Sequence, residues 1–237
     1  MLPAYREFRP PPGLEPVVAC LWEHEPAEER AQRIVPDGCI DLIWLAEREF
    51  VVAGADTGPR LVRLPAGIRS TGIRVRPGAA GALLGLPASE LRDRQVALAL
   101  VWGEPGLEEA VALAGPARRR ELLADAVARR GVVPDPLVRR AAGRLSVPGA
   151  RVAGVAAELG VSERQLHRRM LAAVGYGPKV LARVARLRRL VTGTDASLAF
   201  RALGAGYASQ AHMTDEVRRL TGLTPVRFLE DARLTAA

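Results

Sequence analysis

The 237-residue sequence holds one lysine, two cysteines and three histidines, and no run of 18 apolar residues. Each scarcity removes a class of function. Lys179, the single lysine, does not follow a glycine-rich loop, so the phosphate cradle of a nucleotide hydrolase is absent. Cys20 and Cys39 allow at most one disulfide, lack the spacing of a zinc site and read as buried thiols. Cys39 lies between Asp37 and Asp41, but no nearby histidine marks it as a nucleophile and no cysteine cluster marks a methyl acceptor. His24, His167 and His212 are too scattered to propose a metal site, so neither metal nor cofactor is expected, and no catalytic constellation emerges. Without a long apolar run no membrane span is expected. The first seven residues, Met1 to Glu7, lack the apolar core of a secretory leader, which points to the cytoplasm.

What the sequence does contain is arginine, unevenly placed. Hydrophobic residues make up 49% and charged residues 25%, the balance of a folded domain rather than a disordered chain. The net charge of +8 divides sharply: residues 1–135 carry 17 Arg against 19 acids, and residues 136–237 carry 17 basic residues against 7 acids. The second part is therefore matched to a polyanion, with a merely solvated arginine surface as the alternative.

The pattern along the chain changes near residue 100. Before it, short apolar runs (Val17–Trp22, Ile40–Leu45, Phe50–Ala53, Leu61–Leu64, Gly72–Arg76) alternate with Pro and Gly, as strands do. Ile73 and Val75 against Arg74 and Arg76 have the period of a half-buried strand. From Leu107 the spacing becomes helical, until Gly131, Pro134 and Pro136 close that stretch. This gives a β-rich domain over 1–100, a helical connector or dimerisation arm over 101–135, and a basic helical domain over 136–237. The fold class expected is two-domain: an α+β unit with a small antiparallel sheet or barrel followed by helices, then an all-α unit.

Inside the basic part a repeat recurs at an offset of 47 residues. Ser162, Leu166, Met170, Gly175, Pro178 and Leu181 return as Ser209, Met213, Val217, Gly222, Pro225 and Phe228. Each copy reads as helix, tight turn, helix. In the first, Val152, Val155, Ala156 and Leu159 form an apolar stripe, Gly160 ends it, and Ser162 with Gln165 makes a capping-box pattern. Leu166 and Met170 then face inward, leaving Arg164, Gln165, His167 and Arg168 outside. Arginine pairs with guanine and glutamine with adenine through two hydrogen bonds each, so these four form a candidate base-reading surface. In the second copy Ser209 caps, Met213 and Val217 face inward, and Gln210, His212 and Thr214 are the candidate readers. Ser162, Arg169, Lys179, Ser209, Arg218 and Arg227 are candidate phosphate contacts.

The stretches Leu159–Met170, Val174–Lys179 and Gly206–Phe228 resemble the two readers and signature of AraC/XylS-type regulators, over residues 136–235. The resemblance implies about seven helices, with a long helix from about Pro178 to Val191 holding recognition helices 163–174 and 210–221. It would place them in successive major grooves, about 34 Å apart. Four positions depart from the family: Met213 and Val217 replace aromatics, Arg201 stands at an inward position, and Asp215 replaces the Arg that corresponds to Arg168. The segments Val35–Leu42 and Gly72–Ala79 look like an uncharacterised β-rich domain found ahead of such readers. By analogy it senses a small molecule, dimerises the protein, or both; Trp22, Trp44 and Arg74 are candidate pocket residues, with core tryptophans and a solvated Arg74 as the alternative. The partners implied are double-stranded DNA, RNA polymerase and a small-molecule effector, for a monomer or homodimer. An architectural DNA-binding protein, or an enzyme or repair protein with a fused DNA-binding domain, are the other readings of the same charge pattern.

Overall fold

Alternating residues in the first hundred positions make strands with two unlike faces, and both faces are used. The computed structural model describes residues 4–104, 106–194 and 197–236. Strands β1 (Ala4–Phe8), β2 (Val18–Glu25), β4 (Ile40–Leu45), β5 (Glu49–Ala53), β7 (Ser70–Val75) and β8 (Gln95–Ala97) form one antiparallel sheet in the order β1-β2-β7-β4-β5-β8. Strands β3 (Arg30–Ile34) and β6 (Arg60–Leu64) pair separately as a ribbon. Leu21, Ile73, Leu42 and Val52 lie side by side in register and are fully buried. Helix α3 (Pro116–Arg129) packs on this face against β2 and β7, burying Leu123, Ala126 and Val127. Arg119 pairs with Glu47 at 2.9 Å, and Arg120 pairs with buried Glu23 and lies over the Phe8 ring. The stretch expected as a connector packs on the sheet through α3, with α2 (Leu107–Leu113) against α3.

The parity of β4 corrects one expectation. Trp44 shares the helix-side face with Phe50, their rings edge to face at 6.4 Å, and belongs to the core rather than to a pocket. Asp41, Ile43 and Leu45 point the other way, with Trp22 and Arg74, into a cavity roofed by the β3–β6 ribbon. Side chains two apart share a face, so one residue of register decides the matter.

From Pro136 the chain forms seven helices: α4 (Pro136–Leu145), α5 (Val152–Glu158), α6 (Glu163–Val174), α7 (Pro178–Thr192), α8 (Leu198–Ala205), α9 (Gln210–Thr221) and α10 (Pro225–Ala236). Asp135 caps α4 by accepting from the Leu137 N–H at 2.9 Å. The apolar core runs unbroken from the sheet into α4, α5, α6 and the first half of α7. Leu187, Leu190, Ala202, Met213, Val217, Leu220 and Phe228 form a second, separate core. Helix α1 (Ala80–Leu84) and the short turn Ala88–Leu91 press against α6. Contact there is so close that a Cβ on Gly81 would overlap the carbonyl oxygen of Ala172.

Candidate nucleic-acid interface

The repeat at an offset of 47 residues is a repeat of helix boundaries. Ser162 caps α6, its hydroxyl accepting from the Gln165 N–H at 3.2 Å, and Ser209 caps α9 by accepting from the His212 N–H at 3.1 Å. Both helices end at a left-handed glycine, Gly175 at φ 98° and Gly222 at φ 71°, a conformation that side chains rarely adopt. Each is followed by a helix with proline at its first position. Leu166, Met170, Met213 and Val217 are all fully buried, so each capped helix is propped from beneath and turns its other side outward.

Arg164, Gln165, Arg168, Arg169 and Gln210 are exposed on those outer sides. The remaining candidates are partly engaged. The His167 ring rests on the backbone of Gly177. Thr214 donates its hydroxyl to the Gln210 carbonyl of its own helix at 2.9 Å. Gln165 reaches back to accept from the Ser162 N–H at 2.9 Å, which leaves only its amide N–H groups to reach outward. Its counterpart His212 is drawn back in a similar way: Nδ1 accepts from the Ala208 N–H at 3.3 Å, and Nε2 lies 3.3 Å from Glu216. Of the phosphate candidates, Arg169 lies 3.5 Å from Asp135, Arg227 lies 3.8 Å from Glu230 and 3.6 Å from Asp231, and the two serine hydroxyls are occupied as caps. Lys179 and Arg218 are exposed, and no ion pair among the described residues engages Arg164, Arg168, Lys179 or Arg218.

A family model described as a helix-turn-helix domain matches residues 155–231, which spans both capped units and the helix between them. Residues 155–231 form a helix-turn-helix domain of the AraC type. That makes the chain a DNA-binding transcription regulator. A model described as a domain of unknown function matches residues 6–97, the part that forms the two sheets. No curated protein matches the chain. Among solved structures it is similar to ToxT from Vibrio cholerae, at 9% identity and a TM-score of 0.47 over 96% of this chain and 97% of that one. It is also similar to unsaturated fatty acid bound ToxT from the same organism, at 10% identity and a TM-score of 0.44 over 90% and 94%. At that overlap no residue role is carried across.

Within the AraC-type domain the two readers are not equivalent. Positions Arg164 and Arg168 of α6 correspond, 47 residues on, to Ala211 and Asp215 of α9, so the second reader presents an acid where the first presents a cation. Exposed Arg169 corresponds to Glu216, which is buried and accepts from Arg186 at 2.8 and 3.1 Å with Arg183 at 3.3 Å. This cluster bolts α9 to α7. Arg201, the inward arginine, donates to the Val191 carbonyl at 3.1 Å and to that of Gly193, closing the C-terminus of α7. Arg189 donates twice to the Ala205 carbonyl at the end of α8 and once to that of Ser146. A guanidinium suits such ends because it satisfies the free carbonyls and opposes the helix dipole.

Several residues that contact the two capped helices escaped the sequence reading. Arg92 and Thr57 of the first domain line a cleft with Arg164, His167 and Lys179, which adds an arginine beside the first reader. Tyr176, in the turn after α6, inserts beside Gly38, where burial pushes its phenol pKa up. Arg33 on β3 donates to the Thr221 carbonyl at 3.1 Å and so touches the end of the second reader. Glu216 alone carried a signal, as an acid within the inward stripe of Met213, Val217 and Leu220.

Proposed function

We propose that this regulator binds DNA sequence-specifically, with α6 supplying most of the affinity and the first domain setting how the two readers stand to one another. The observation that carries the reading is the pair of capped helices with exposed Arg164 and Arg168 on one and Ala211 and Asp215 on the other. In this reading Arg164 and Arg168 contact base edges, with Gln165 and Gln210 in supporting roles, and α6 and α9 enter successive major grooves. Lys179, Arg169, Arg218 and Arg227 face phosphates, and Arg92 joins them from the first domain. The domains run 1–135 and 136–237, because α3 packs on the sheet and α2 on α3, while α4 opens the run of seven helices. Control by the first domain is supported by its hold on both readers, through Gly81 and Tyr176 at the first and Arg33 at the second.

Fluorescence anisotropy with a site selected from genomic fragments tests this. Arg168→Ala should weaken binding by about 1–3 kcal/mol, the worth of one bidentate base contact, while Asp215→Ala and Gln210→Ala should each cost less. Equal losses at both readers would refute the ranking. Binding to the selected site should also survive added salt better than binding to random DNA; parallel, steep salt dependence on both would mark a sequence-blind architectural protein instead.

A further inference from the structure

The second face of the large sheet and the β3–β6 ribbon enclose a cavity of 120 Å³, which DNA binding leaves unused. Its floor is one guanidinium crowded by acids. Arg74 donates through Nε and Nη2 to the two Asp41 oxygens, both at 3.2 Å, and stands 3.5 Å from Asp37 and 3.7 Å from Glu7. The other lining arginine, Arg60, is held by Asp56 at 3.2 Å. Arg60 keeps one buried N–H, its Nε, without a partner among the described residues, whereas Arg74 is ringed by three carboxylates, so an anion entering beside Arg74 would have to displace a carboxylate. Burial pushes the carboxyl pKa of Asp41 up and that of Asp56 to about 6, against the opposing pull of Arg74 on the one and Arg60 on the other.

The wall is aromatic. Trp22 lies flat across Gly72, where any side chain would overlap its indole, and the Tyr5 ring stands 6.1 Å from it at 35°. The Tyr5 and His24 rings meet edge to face at 5.9 Å. Trp22 is only 8% exposed, lines the cavity, and its indole N–H has no acceptor among the described residues. A buried donor of this kind calls for an acceptor on whatever fills the space.

We propose that this cavity is the regulator's effector site and takes a small organic cation: an ammonium on an aromatic or short apolar body that also carries an oxygen acceptor. The ammonium would sit among Asp37, Asp41 and the ring faces, which attract cations through their quadrupoles. The oxygen would accept from Trp22. A cavity of about 150 Å³ takes benzene, so this one takes a single ring, and a longer body must reach out between the ribbon and the sheet. Only the word effector rests on the reading of the chain as a regulator controlled through its first domain; the ligand class rests on the cavity itself.

The test uses the full chain without DNA. Tyramine, the neutral 2-(4-hydroxyphenyl)ethanol and the anionic 3-(4-hydroxyphenyl)propionate are titrated by calorimetry, with circular dichroism confirming the fold of each variant. Tyramine should bind at least about tenfold more tightly than either analogue, as a charge-assisted contact requires. Asp37→Asn keeps the acceptor that holds the Cys39 N–H but removes the charge, and it should erase most of that preference. Trp22→Phe, which keeps the ring and removes the donor, should weaken tyramine and the neutral analogue alike. Binding of the propionate as tight as that of tyramine, no heat from tyramine at millimolar concentration, or an unchanged preference in Asp37→Asn would each overturn the assignment. A parallel DNA titration separates the two readings: tyramine bound with DNA affinity unaltered leaves the ligand class standing and removes the effector role. Intact specific DNA binding without tyramine binding removes the ligand class alone.

Discussion

Single buried charges do much of the positioning in the AraC-type domain, and Glu216 shows how. It occupies the stripe Met213, Glu216, Val217 and Leu220, which α9 turns toward α7, and its carboxylate collects Arg186 and Arg183, with the His212 ring nitrogen Nε2 at 3.3 Å. Arg186 is itself only 19% exposed, and its guanidinium lies 5.6 Å from the ring of buried Tyr207. Removing the acid strands that guanidinium in a place where water reaches it poorly, and the penalty falls on the partner left behind more than on the lost attraction. Glu216→Ala should therefore lower unfolding stability by about 3 kcal/mol, read from urea titration. A loss within about 0.5 kcal/mol, the range of ordinary surface substitutions, would mean that the cluster does not hold α9 in place.

At the scale of elements, the first reader is fixed by how closely α1 approaches α6. Gly81 faces the Ala172 carbonyl with no room for a methyl group, and because the obstacle is backbone it cannot swing aside. Gly81→Ala should cost about 1–3 kcal/mol, as overpacking does, and weaken specific DNA binding because α6 must shift. Gly143→Ala is the matched control: it lies inside α4 with open space around it, and it should stabilise by about 0.5–1 kcal/mol through the better helix propensity of alanine. Thermal unfolding and anisotropy on the same two proteins check both signs; equal effects would show that the approach of α1 is slack. The same contrast explains what could be read from the chain in advance. Serine caps, glycine stops, first-turn prolines and the 47-residue offset are local chemistry, so the two capped helices and the long helix between them were legible nearly to the residue. Strand pairing is not local. That β3 and β6 leave the main sheet to roof a cavity, and that Trp44 faces the helices while Trp22 faces that cavity, depends on partners up to tens of residues away. Gln165 and His212 were legible as third residues of capped helices, but not the degree to which each is drawn back toward its own cap.

For the whole molecule the decisive asymmetry lies in how each reader is held. The first shares a continuous core with the sheet domain, whereas the second has its own core and reaches the rest through α7, through Val35, which packs against that core, and, at its far end, through Arg33. Strand alternation makes Arg33 a link between two functions. Gln32 and Ile34, its neighbours on β3, line the cavity, while the Arg33 guanidinium turns the other way and donates to the Thr221 carbonyl at the C-terminus of α9. A change under the ribbon therefore has a short mechanical path to the second reader, beside the path to the first that runs from the lining residue Asp37 through Gly38 to Tyr176. Arg33→Ala removes that hold while leaving the cores intact, so it should cost only about 1 kcal/mol of stability yet free α9 to adjust its stance. The consequence appears on DNA whose half-sites are moved apart by one or two base pairs. The unaltered protein should discriminate sharply against the altered spacing, because both readers are tied to one frame, and Arg33→Ala should tolerate it better. Amide exchange near the end of α9 should quicken in the same variant. If spacing preference and exchange both stay as they were, the ribbon does not govern the second reader, and α7 alone sets the distance between the two.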